Sequence, residues 1–348
     1  MGGDAAVIAG VAQVTHRDGN TPLDPLSLMV QAGELVLNDA CDGDAKIRAK
    51  LARILDGVCV VNVTSWQYPG GNERLPHAVA ERLGLGPRIT EYTSASGDSP
   101  QRLVNDAAAQ IERGGARAFL LLGGEGARSA SRIAAGTIPK PSTWPEMGDG
   151  VLRHAFPRSR LGAAYGILRP TEVYPFFETA LRATTGRAPH DHALHMGRLF
   201  SGFSAVAASN PFAWFNTAHQ SADQIASVSK GNRMIVYPYT KRMNAFPTVD
   251  MAAGVLVIGE AEARRLGIKA GKFVHVMGGA GMTDLEDHFE RRYLYESPSM
   301  RLYEKRTEKE RKGKGKEREG EDNGKCKGKV SKLSLKCHEC VMKVSLLS

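Results

Sequence analysis

The chain has few cysteines. Five of its 348 residues are Cys, at 41, 59, 326, 337 and 340, an odd number with no framework spacing, which excludes a disulfide-stapled scaffold and points to a reducing, intracellular compartment. Cytoplasm, mitochondrion and peroxisome are not separable on this ground. Cys337-x-x-Cys340 has no second pair to complete a zinc ribbon, so no metal is expected. Long apolar runs are also missing: nothing approaches the roughly 18–20 uncharged residues of a membrane span, and the opening MGGDAAVIAGVAQVTHRDGN lacks the basic flank of a secretory signal. A one-signed field is missing as well. The net charge of +9 is concentrated: residues 301–348 hold 15 of the 46 Lys/Arg and 8 of the 37 Asp/Glu, which leaves 31 basic against 29 acidic residues in the body. The body therefore has no electrostatic footprint for nucleic acid, and nucleic acid is not an expected partner. In the last stretch Lys, Glu, Arg and Gly crowd out apolar residues, so 301–348 is expected to be a disordered charged tail.

What is present is an alternation of strands and helices. AAVIAGVAQVT reads as a strand, and LDPLSLMVQAGELVLNDA has apolar residues at helical spacing behind Asp24, a natural cap. The helix IRAKLARILDG, the strand GVCVVNVT, a helix around HAVAERLGLG, the segment PRITEYTSA, a helix after Ser99 and the apolar strand ARAFLLLGG follow. This rhythm predicts a mainly parallel sheet covered on both faces, with Cys41 and Cys59 buried. Between about 129 and 242 prolines break the rhythm and new helices appear, one of them begun by a Ser221/Gln224 capping box. Strand character returns in VDMAAGVLVIG, then a helix EAEARRLG and a strand KFVHVMGG.

Three motifs carry possible chemistry. Gly124-x-Gly126 after a strand is a near miss for a dinucleotide fingerprint, but its third glycine position is Ser129, and glycines closing a strand edge account for it. His190, His192 and His195 lie in HDHALHMG, where no Asp/Glu ligand pattern supports zinc, a polar helix start rather than a metal site. Most telling is SGDSPQRLVNDAAAQIERGG. Ser99 reads as a cap, Pro100 as a first-turn residue and Gly114-Gly115 as the stop, so the turn delivers side chains to a helix N-terminus, where a thiolate or oxyanion is stabilised.

Taken together, AAVIAGVAQVTHRDGN, SGDSPQRLVNDAAAQIERG, LLLGGEGARS, LHMGRL and GNRMIVYPYTKRMNAFPTVDMAAGVLVIGEAEARRLGI resemble, in order and spacing, the thiolase superfamily and its acetyl-CoA acetyltransferase-like branch, over about residues 6–298. The resemblance implies a thiolase-type α/β fold of βαβαβ layers with a helical loop-domain insertion and most of the second half missing. The expected parts are the first α/β stretch (1–128), the helical loop domain (129–242), completion of the first domain (243–268), the start of a truncated second half (269–300) and the tail. It also implies an acyltransferase of lipid metabolism acting on coenzyme A thioesters, bound as substrate or ligand with no covalently held cofactor.

The family's cysteine nucleophile falls on Gly97, counting back from Ile111 and Gly114, and Gly97 has no side chain. Its neighbours Asp98 and Ser99 have no visible base, and the family's later histidine and second cysteine are absent, so no catalytic residue is expected. His195 and Met196, with Gly197, match a coenzyme A-contacting segment; Asn244 and Ala245, with Asp250, Ala252 and Ala253, match the stretch beside the pantetheine. Phe246 stands there for a small hydroxyl residue and Met251 for a glycine. The implied function is an impaired acyl-CoA acyltransferase. The alternatives are a non-catalytic acyl-CoA-binding or scaffold protein, or a fragment of a longer gene product. A homo-oligomer or a partner chain is expected to cover the face that the missing half would occupy.

Overall fold

The computed structural model describes residues 4–141, 159–167, 169–215, 218–279 and 281–301. Apart from Arg301, the charged tail lies outside them. In chain order the elements are β1 (Ala6–Thr15), α1 (Pro25–Cys41), α2 (Ala45–Ile54), β2 (Gly57–Val60), α3 (Leu75–Arg82), β3 (Ile89–Tyr92), α4 (Ser99–Glu112), β4 (Ala118–Gly126), α5 (Ala127–Ala134), α6 (Arg160–Ala164), α7 (Pro170–Thr184), α8 (Pro189–Ser209), α9 (Ala222–Ala226), β5 (Met234–Val236), β6 (Tyr239–Thr240), β7 (Asp250–Gly259), α10 (Glu260–Leu266) and β8 (Val274–His275), with short 3-10 turns between some of them. They fall into two compact units. The first holds the described residues up to 141 together with 247–279, the second those from 159 to 246 together with 281–301.

The first unit is a six-stranded sheet in the order β3-β2-β4-β7-β1-β8. The sheet is mixed rather than mainly parallel: β2 runs parallel to β3 and β4, whereas β7 is antiparallel to both β4 and β1, and β8 is antiparallel to β1. The reason is connectivity. β7 is reached after the long insertion instead of through a single helical crossover, so nothing compels it to share its neighbours' direction. It runs between β4 and β1 in register from Asp250 opposite Gly126 to Ile258 opposite Ala118, and every one of its residues is buried, as its unbroken apolar sequence requires.

Alternating side chains feed two cores. Leu120, Leu122, Leu256 and Ile258 join Leu28, Met29 and Val36 of α1 on one face, while Phe119, Leu121, Val255 and Val257 join Leu103, Val104 and Ile111 of α4 on the other. Asp24 caps α1 as expected: its carboxylate accepts from Ser27 N at 3.0 Å and from the Tyr68 hydroxyl at 2.8 Å. Helix α4 ends where its glycines stand, with Gly115 N donating to the Gln110 carbonyl at 2.8 Å.

The second unit is mainly helical. Ser221 and Gln224 form the expected capping box of α9, with Ser221 N donating to Gln224 Oε1 at 2.8 Å and Gln224 N to Ser221 Oγ at 3.2 Å. A small core of Met196, Ile225 and Met243 joins α8, α9 and the turn after β6. Residues 281–301 belong to this unit through aromatic contacts: Phe289 meets Phe176 of α7 edge-on at 5.5 Å, and the Arg291 guanidinium lies 5.5 Å from the Phe177 ring.

Candidate functional site

The turn before α4 is built by loops at the C-terminal ends of β2 and β3. Asn62 N donates to the Thr93 hydroxyl at 3.0 Å and Val63 N to the Tyr92 hydroxyl at 2.8 Å, which fixes where the chain enters residues 94–98. Gly97 and Asp98 are exposed. Ser99 is not the cap that its sequence context predicts. Asp98 takes the N-cap position with helical backbone angles (φ −92°, ψ −8°), so Ser99 becomes the first helical residue and its side chain turns back into the loop. There Ser99 is fully buried, with Oγ donating to the Ser94 carbonyl at 3.1 Å. The Asp98 carboxylate caps nothing either, because it accepts from the Ser96 hydroxyl. A hydroxyl committed to a carbonyl and shielded from solvent is no nucleophile.

The thiols of the described residues are equally unreactive by environment. Cys59 is buried in β2, and burial, reinforced by the charges of Glu91 and Asp106, pushes its thiol up to about 12. Burial also raises Cys41. Both stay protonated, and the thiol is the poor nucleophile of the pair of forms. Cys326, Cys337 and Cys340 lie outside the described residues.

The C-terminal end of β4 holds a group that the sequence reading missed. Glu125 is buried, and its carboxylate accepts from Thr64 N and the Thr64 hydroxyl, each at 2.7 Å, and from Ser65 N at 2.8 Å. Burial pushes its pKa up against the pull of these donors. The signal was an acidic residue closing an otherwise apolar strand. The glycines beside it serve packing: a β-carbon on Gly124 would meet Met29 Cγ at 2.9 Å and one on Gly126 the Leu23 carbonyl at 2.9 Å, so they let α1 and its lead-in lie close on the strand. Asp250 is a buried brace, accepting from Ser129 N at 3.0 Å and its hydroxyl at 2.7 Å. Met251 and Ala252 are buried between β4 and β1, and Ala253 lines a narrow apolar hollow with Val61, Pro100, Leu103, Leu121 and Val255 at the start of α4.

Of the residues matched to coenzyme A-contacting stretches, His195, Met196, Asn244 and Ala245 lie in the second unit, and Asp250, Ala252 and Ala253 in the first. His195 is exposed on α8, and the positive charge of Arg187 is the main cause that holds its imidazole below the usual range. Met196 is buried in the core beside Met243, the residue that precedes Asn244. Asn244 Nδ2 donates to the Thr240 carbonyl at 2.8 Å, and Ala245 is exposed. Gly197 lies under α9, where a β-carbon would come within 2.5 Å of the Ala222 carbonyl oxygen. Phe246 is exposed and meets Phe215 edge-on at 5.0 Å. The histidine cluster is more than a polar helix start. His192 is buried at 2% exposure, with Nε2 2.7 Å from Glu178 Oε1, and Glu178 Oε2 accepts from the Tyr239 hydroxyl at 2.6 Å.

No protein-family model matches the chain, and no curated protein matches it. Solved structures do. A monomeric SCP2-thiolase-like protein type 1 from Mycobacterium smegmatis superposes with a TM-score of 0.69 at 25% identity, covering 88% of this chain and 57% of its own. The Ltp2-ChsH2(DUF35) aldolase gives 0.58 at 18% identity over 86% of this chain and 67% of its own. The dimeric peroxisomal thiolase of Saccharomyces cerevisiae gives 0.50 at 16% identity over 76% and 67%. The chain has a thiolase-like α/β fold and spans a little over half the length of the mycobacterial protein.

Proposed function

We propose that this thiolase-like chain binds a coenzyme A thioester without carrying out cysteine-dependent acyl transfer. The observation that carries the reading is the start of α4: at the position the resemblance assigns to the nucleophile stands Gly97, and the buried hydroxyl beside it, on Ser99, is spent on the Ser94 carbonyl. Helix geometry that would stabilise a thiolate is present without a thiol to use it. Support for a coenzyme A ligand comes from His195, Met196, Asn244 and Ala245, carried by two segments of the second unit that share a core through Met196 and Met243. Titration calorimetry with coenzyme A and acetyl-CoA tests the binding half; it fails if neither ligand gives heat. Incubation with labelled acetyl-CoA followed by intact-mass analysis tests the catalytic half, and a stable acyl adduct on residues 97–99 would overturn it.

A second reading has one observation in its favour, the likeness to the aldolase whose name pairs Ltp2 with ChsH2(DUF35). In that reading a partner chain or a second copy supplies the groups the chain lacks, and acyl transfer appears only in the assembly. Size-exclusion chromatography with light scattering on the full chain tests the second copy, which a monomer in the presence of acyl-CoA rules out, and acyl transfer by the isolated monomer would overturn the assembly reading altogether.

A further inference from the structure

Glu178 is the group in the second unit on which two sequence-distant segments converge. Its Oε1 lies 2.7 Å from Nε2 of His192, one turn ahead of His195 and Met196 on α8, and its Oε2 accepts at 2.6 Å from the hydroxyl of Tyr239, five residues before Asn244. Tyr239 also packs against the core that holds Met196 and Met243. Nδ1 of His192 is buried without a hydrogen-bond partner. A carboxylate oxygen can only accept here, so Nε2 of His192 carries the proton that joins the two side chains. Burial, together with the acceptor on Glu178, raises the Tyr239 phenol, which therefore stays a donor. Both bonds point into one side chain from α7. Losing it would leave a buried imidazole N–H and a half-buried phenol without their acceptor.

We infer that Glu178 is a positioning residue: its carboxylate holds the turn bearing His195 and Met196 in register with the segment bearing Asn244 and Ala245, so that the two halves of one ligand-binding face are set by a single side chain. This rests on the coenzyme A reading above. No covalent step is involved, and Glu178 itself touches no ligand.

The test uses the full chain and coenzyme A as probe. Glu178→Gln keeps the shape but leaves one acceptor oxygen, and Tyr239→Phe removes one arm only. The expected result is about tenfold weaker coenzyme A binding in Glu178→Gln and a smaller loss in Tyr239→Phe. Nitrogen-15 imidazole spectra should show a protonated Nε2 of His192 bonded to the carboxylate in the parent chain and a shifted Nε2 resonance once Glu178→Gln removes the charged acceptor, a signature that general loosening of the unit would not produce selectively. Hydrogen exchange should speed up over 189–197 and 239–245 while α4 stays unchanged. Parent-like affinity in Glu178→Gln, or an unshifted His192 Nε2 resonance, overturns the inference. If the parent chain binds no coenzyme A, the ligand reading falls by itself. The inference is then decided by exchange alone, and unchanged protection of both segments in Glu178→Gln and Tyr239→Phe sinks it.

Discussion

Two glycines of α8 make a matched experiment. A methyl group added at Gly197 would lie 2.5 Å from the Ala222 carbonyl oxygen and 3.2 Å from both the Ala222 carbonyl carbon and Ala226 Cβ, whereas one added at Gly202 would meet nothing within 4 Å. The obstacle at Gly197 is backbone, which cannot rotate away as a side chain would. To reach an ordinary carbon–oxygen separation of about 3.3 Å, α9 must retreat by about 0.8 Å. Overpacking of this kind costs about 1–3 kcal/mol. Replacing Gly by Ala inside a helix returns about 1 kcal/mol at either position. Propensity cancels in the comparison, so Gly197→Ala should be less stable than Gly202→Ala by the overpacking cost alone, and Gly202→Ala should be more stable than the parent. The assay is hydrogen exchange by mass spectrometry on peptides from 189–209, because it reads this helix without requiring the two units to unfold together. The local opening constants of the two variants should differ by about 5- to 150-fold. Equal protection in both would refute the claim that Gly197 exists to let α9 approach. It would also remove the packing account of LHMG, leaving only a ligand-facing one.

The remaining predictions concern charge and thiols. Asp56 accepts from Arg117 N, Nε and Nη2 at 2.8, 3.1 and 3.0 Å, and these bonds hold its carboxyl below the usual carboxylate value. A depressed folded pKa gives stability that is present above about pH 4, the unfolded value, and is lost as pH falls through the folded one. Asp56→Ala should therefore cost about 1.5–3 kcal/mol at pH 7 by urea denaturation and less at pH 3; an equal cost at both would contradict the assignment. Cys41 and Cys59 should resist iodoacetamide at pH 8 in the native protein and react once it is unfolded, and rapid native labelling of Cys59 would rule out its burial. Gly97→Cys should place an exposed thiol at the α4 N-terminus that alkylates faster than either, with its apparent pKa below the usual 8.5 or so. Peptide mapping after a timed pulse reads this, and an introduced thiol no faster than the native ones would deny the turn any activating field.

Local chemistry was enough for much of this protein. The Asp24 cap, the Ser221/Gln224 box, the glycine stop after α4 and the burial of Cys41 and Cys59 are all legible in runs of a few residues, because each depends on neighbours within one helical turn or on strand periodicity alone. Only tertiary structure decided the rest. Ser99 loses its capping role to Asp98 because loops from β2 and β3 set the entry angle of the chain. β7 turns the sheet mixed because its partners lie more than a hundred residues away, and no periodicity records a strand's direction. Glu125 meets Thr64 across 61 residues, and Glu178 meets Tyr239 across another 61. Such buried polar pairs leave no local trace, since a carboxylate in a half-apolar helix or at a strand end reads as a solvated residue until folding brings its donors to it.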